Sequence, residues 1–182
     1  AALGPGWSCH LAMRCGHPNT EEGVREALAA GADRAVAFPL YPQYANATTR
    51  SSLLELRRLW PKDRPLAEVC TWHDHDGYLD ASAAALRETL AGVPAADRER
   101  VLVVFSAHGL PMSQVRKGDP YPGYIEHSCR GVAERLGLQG WQVTYQSRLG
   151  PMKWLGPDTV EYLEGHAGGR AALALRFADL DA

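Results

Sequence analysis

Long hydrophobic runs are missing from this 182-residue chain. The longest, at Val101–Phe105, falls far short of the roughly 20 apolar residues a bilayer-spanning helix needs. An excess of one charge is missing too. Nineteen Lys and Arg stand against 21 Asp and Glu, a net charge of −2, and that balance offers no electrostatic reason to bind nucleic acid. Cysteine is sparse: Cys9, Cys15, Cys70 and Cys129 are scattered with no C-x-x-C spacing. They read as reduced thiols in a cytosol-like compartment, not as a disulfide framework or zinc site. The opening residues, AALGPGWSCHLAMRC, lack the basic start, apolar stretch and cleavage site of a signal peptide. No internal repeat and no low-complexity tract occurs. What is present is an ordinary globular composition, 46% hydrophobic and 22% charged, in a chain long enough to bury about two-thirds of its unfolded surface.

Short apolar runs alternate with helical patterns. Trp7–Arg14 reads as a strand. Thr20 is a good N-cap, followed by Glu21 and Glu22 where the helix dipole favours acids, and this helix runs to Ala30 and stops at Gly31. Arg34–Leu40 reads as a buried strand ended by Pro39. A helix over Thr48–Trp60 puts Leu53, Leu56 and Trp60 on one face, and Leu66–Trp72 reads as the next strand. Leu79, Ala83, Leu86 and Leu90 then form a helical stripe. After the Gly92-Val93-Pro94 break, Val101–Phe105 suits a strand covered on both faces. Tyr121, Ile125, Cys129, Val132 and Leu136 mark a further helix. Trp141–Gln146 reads as a strand, Asp158–Glu164 as a short helix and Ala171–Phe177 as a weak last strand. Such alternation implies parallel pairing with right-handed crossovers, an α/β architecture. A boundary is expected near Gly92–Arg98, dividing residues 1–93 from 94–182.

In open parallel sheets, ligands bind beyond the carboxyl ends of the strands. Three loops at such positions carry many functional side chains: PLYPQYANATTRSS at 39–52, SAHGLPMSQVRKGDPY at 106–121 and QSRLGPMKWLGP at 146–157. His108 follows the most apolar strand and precedes Gly109, where backbone or ligand can come close. Its imidazole suits proton acceptance or metal ligation; a histidine satisfying a loop carbonyl is the blander alternative. Tyr41 and Tyr44 read as pocket walls or structural corners, and Trp154 as a flat wall or a packing plug. The HDHD run at His73–Asp76 reads as a solvated loop, with a surface cation site as the alternative.

Taken together, the strings PLYPQYANATT, FSAHGLPMSQVRKGDPYP and QSRLGPMKWLGPDT resemble the motifs of the ferrochelatase family in order and spacing. LAMRCGHP near the start is similar to another family segment, and the resemblance spans about Leu3 to Leu163. It implies two Rossmann-like parallel-sheet halves, chelatase-like and incomplete, with residues 94–182 carrying the histidine loop. It implies insertion of ferrous iron into a porphyrin, protoporphyrin IX or coproporphyrin. His108 matches the family histidine assigned to proton abstraction or metal binding. Arg14, Tyr41, Tyr121, Gln146, Ser147 and Trp154 match substrate-binding positions around the macrocycle or its propionates. The implied partners are porphyrin and Fe2+, the latter as substrate with no permanently bound cofactor. The implied location is the cytoplasm, with peripheral membrane contact.

Departures from the family set further expectations. Asn46 stands where iron–sulfur members carry cysteine, so no such cluster is expected. Cys15 replaces a usual aromatic and Arg50 a usual glycine. From about Gly165 the sequence looks unlike the family, and the acidic motif expected to face His108 is not found there. These departures imply a chain truncated at both ends, with exposed sheet edges and marginal stability. The alternatives are a non-catalytic fragment that at most binds porphyrin, and a chelatase for another metal.

Overall fold

The computed structural model describes residues 3–166, 168 and 172–177. Two compact units part between Thr71 and Trp72, and the segment near Gly92–Arg98, where a boundary was expected, lies inside the second.

In the first unit, helix α1 (Thr20–Ala29) is capped by Asn19 and not by Thr20. The Asn19 side chain accepts from the Glu22 N–H at 2.9 Å, and the Glu22 carboxylate accepts from the Asn19 N–H at 2.6 Å, a reciprocal capping box. The Thr20 hydroxyl turns away and donates to the Met13 carbonyl. Gly31, at φ +85°, closes the helix as expected. Strands β1 (Ala35–Ala37) and β2 (Leu66–Glu68) pair in parallel, with Ala35 opposite Leu66. A π-helical turn over Asn46–Arg50 leads into α2 (Ser51–Leu59). Leu53 and Trp60 of the expected stripe are buried with Val24, Ala37 and Ala45, while Val36, Phe38 and Leu40 are exposed.

The strand expected at Trp7–Arg14 does not form. A ladder needs a neighbouring strand, and among the described residues β1 and β2 pair only with each other. The segment instead crosses α1, joined by a single bridge between Met13 and Asn19. Gly23 permits this approach, because a Cβ there would lie 2.5 Å from the Leu11 carbonyl oxygen.

In the second unit, β3 (Leu102–His108) lies between β4 (Gln142–Gln146) and β5 (Ala172–Phe177), all parallel. The central position explains the apolar run, since Val103, Val104, Phe105 and Ala107 are each at most 3% exposed. Helix α3 (Asp76–Ala91) buries Leu79, Ala83 and Leu86. Helix α5 (Tyr121–Leu136) buries Tyr121, Ile125, Cys129 and Val132. The two helices pack closely at Gly131, where a Cβ would meet Leu79 at 2.9 Å. A short helix α4 (Met112–Arg116) interrupts the loop after β3, and α6 (Thr159–His166) follows β4.

Candidate active site at the strand ends

Parallel pairing brings the ends of β3 and β4 together. His108 and Gln146 are register partners, each the last residue of its strand. The loops that follow are then zipped to each other. The Gly109 N–H donates to the Gln146 carbonyl at 2.8 Å, the Leu155 N–H to the Leu110 carbonyl at 2.9 Å and the Met112 N–H to the Lys153 carbonyl at 2.8 Å. An antiparallel bridge between Pro111 and Trp154 lies among these bonds. Two loops separated by more than thirty positions thus become one surface beyond the sheet, the place where α/β folds hold ligands.

Gly109 is the tight point of this surface. A Cβ there would stand 2.9 Å from the Gln146 carbonyl oxygen and 3.4 Å from Cε3 of the Trp154 ring. A Gly109→Ala variant is therefore expected to lose about 1–3 kcal/mol of unfolding free energy, measured by urea denaturation. An unchanged midpoint would show that the loop yields freely.

His108 is half-buried. Trp154, also half-buried, donates its indole N–H to the Leu149 carbonyl at 3.1 Å, which fixes the ring beside Gly109. Ser147 is exposed and holds φ +66°, a left-handed conformation that non-glycine residues seldom adopt outside functional or turn positions.

Among the described residues of the second unit, two buried polar atoms have no hydrogen-bond partner: the Tyr121 hydroxyl and the Gln146 amide nitrogen. Native structures leave few such groups, and each calls for an explanation. Tyr121 is 3% exposed. Burial pushes its phenol up, helped by Tyr145, Cys129 and Tyr78, against a smaller opposing effect of the His108 backbone N–H. Tyr145 is likewise pushed up to about 12, chiefly by burial and then by Cys129 and Glu126. Both phenols therefore remain protonated near neutral pH and serve as donors.

The second unit thus holds His108, Tyr121, Gln146, Ser147 and Trp154, and the first holds Arg14 and Tyr41. Arg14 is exposed. Its charge reaches Glu55 of α2, whose carboxyl is held below its ordinary value mainly by Arg58, bonded at 2.8 Å, and less by Arg14. Tyr41 is half-buried in a loop anchored by the Thr71 hydroxyl, which donates to the Pro42 carbonyl at 2.8 Å. The sequence named Tyr121 and Gln146 but not their lack of hydrogen-bond partners, and it missed Tyr145. The inward alternation of Thr144 and Tyr145 offered a weak signal, but orphaned hydrogen-bonding capacity has no signature in sequence.

The solvated loop expected at His73–Asp76 is half right. Asp74, His75 and Asp76 are exposed, but His73 is only 7% exposed. Its ring packs against Tyr124 of α5, which helical periodicity alone does not reveal. No group of three or more His, Cys, Asp or Glu side chains that could hold a metal occurs among the described residues.

Parallel strands packed with helices, the central one ending in a histidine whose loop is zipped to the next, define an α/β fold of the class that holds ligands beyond its strand ends. The Ferrochelatase family model matches residues 2–175, and this chain belongs to the ferrochelatase family. The match runs past the expected limit at Leu163 and takes in Ala172–Leu175 of β5, so departure from the family does not begin at Gly165. A ferrochelatase of Geotalea uraniireducens (strain Rf4) is 40% identical over 170 residues, covering 92% of this chain and 53% of the relative. One from Synechococcus sp. (strain RCC307) is 43% identical over 163 residues, covering 85% and 41%. One from Caulobacter vibrioides is 38% identical over 164 residues, covering 88% and 46%. The chain spans about half the length of the curated relatives it matches. No helix among the described residues is long and apolar enough to cross a membrane.

Proposed function

We propose that this chain carries a ferrochelatase-type site, a lyase that inserts Fe2+ into a porphyrin, protoporphyrin IX or coproporphyrin, in heme biosynthesis. The observation that supports it most is His108 ending the central strand of a ferrochelatase-family chain, with the buried, unpartnered donors of Tyr121 and Gln146 in the same unit. Insertion removes two pyrrole N–H protons and replaces them with one divalent metal. A neutral imidazole at His108 accepts such a proton or ligates the ferrous ion. In the second unit the Trp154 ring offers a wall to the flat face of a macrocycle, and Ser147, Tyr121 and Gln146 offer donors to its carboxylates. Arg14 and Tyr41 are the substrate-binding candidates of the first unit. Iron enters as substrate in this reading, with no resident cofactor or iron–sulfur cluster, and the protein works in the cytoplasm in peripheral contact with a membrane.

The test is an anaerobic insertion assay with Fe2+, repeated with Zn2+, following the porphyrin Soret band. Insertion above the protein-free rate is expected. Porphyrin binding without insertion, at saturating metal, would overturn the enzymatic reading.

A further inference from the structure

Two imidazoles meet where the second unit begins, and the chemistry above uses neither of them. The His73 ring packs on Tyr124 with centroids 4.2 Å apart and meets His127 edge-on at 5.1 Å. The Ser128 hydroxyl, from the same helix α5, donates to the His73 carbonyl at 2.9 Å. Two positions later His75 caps α3, its Nδ1 accepting the Gly77 N–H at 3.1 Å.

We propose that His73 and His127 form an acid-released latch, which holds the Trp72–Asp76 segment against α5 at neutral pH and frees it as pH falls. A charge gained by His73 would be buried against the Tyr124 ring and beside the His127 ring.

The surrounding charges do not cancel this. Asp74, the acid nearest His73, stands 3.9 Å from its Nδ1 and is mostly exposed. Along the same seam, Asp76 and Asp80 of α3 are engaged by Arg135 of α5. Glu126 and Arg130, on either side of His127, pair with each other at 2.7 Å. Burial lowers the His73 pKa, with His127 acting the same way and Asp74 against. The unfolded ring therefore takes up a proton before the folded one. The stability that His73 supplies is complete above about 6.5 and is lost as pH falls from there towards the folded value.

Hydrogen exchange of the whole chain, corrected for intrinsic rates, tests the latch between pH 7.5 and 5.5. Protection of the Tyr78 and Leu79 amides, which donate to the His75 carbonyl, is expected to fall at least about tenfold while β3 keeps its protection. A His73→Phe/His127→Gln variant is expected to retain most of that protection in acid. Equal loss in β3, no loss at all, or the same loss in the variant would each overturn the latch. Should the variant not fold, titration of the wild-type His73 ring resonances decides: a midpoint at or above that of free imidazole refutes it, and a lower one supports it.

Discussion

Replacing His108 by alanine is expected to lower metal-insertion turnover by about 10²- to 10⁴-fold, the usual range for loss of a positioned proton acceptor. Porphyrin affinity should change little. The imidazole sits at the end of the strand with the most buried core of the second unit, and the backbone around it is fixed by the Gly109–Gln146 and Leu110–Leu155 hydrogen bonds. Removing the side chain leaves that frame intact, because none of those bonds uses it. The loss should therefore appear in kcat, with KM for porphyrin nearly constant, as befits an interaction made while protons leave the ring. Soret titration measures binding separately from turnover. Turnover within tenfold of wild type would sink the role of His108 as base or metal ligand. Unchanged turnover in Tyr121→Phe would likewise leave its unpartnered hydroxyl without a part in the reaction.

Elements whose identity depends on local pattern were legible in the sequence. The Leu79–Ala83–Leu86 stripe, the Tyr121–Ile125–Cys129–Val132 stripe and the Val103–Phe105 run all fall in the elements expected of them. Ala172–Phe177 also forms the weak last strand that its apolar residues suggested. Failures came where a distant partner decides the outcome. Trp7–Arg14 alternates well enough for a strand but has none beside it, and lies across α1 because Gly23 leaves room. Asn19 outcompetes Thr20 as cap because Glu22 can reach back to its N–H. His73 is polar in sequence yet buried, since Tyr124 and His127 come to it from a helix about fifty positions away. At the candidate site the loops were recognisable one by one. That the Pro111 and Trp154 segments bond to each other, and that Tyr121 and Gln146 each keep a buried donor without a partner, follows from register and packing, which a single sequence does not display.

A Thr159→Val variant is expected to unfold more easily by about 2–6 kcal/mol, from two buried hydroxyls each losing a partner at about 1–3 kcal/mol. The Thr159 hydroxyl, at the start of α6, lies 2.9 Å from that of Ser106 on β3 and 2.8 Å from that of Thr144 on β4. Ser106 and Thr144 are register partners, and all three residues are at most 9% exposed. One side chain therefore clamps α6 to two adjacent strands just below the His108–Gln146 ends. Valine fills nearly the same volume, so packing is preserved and the loss isolates the hydrogen bonds. Urea denaturation followed by circular dichroism should show a lower midpoint at constant slope. Thr159→Ser, which keeps the hydroxyl, should lose much less. Combining Thr159→Val with Ser106→Ala and Thr144→Val removes the stranded donors as well, and should recover part of the deficit instead of deepening it. A Thr159→Val midpoint indistinguishable from wild type, or a triple variant whose loss is the simple sum of its parts, would show that the hydroxyls do not act as a unit.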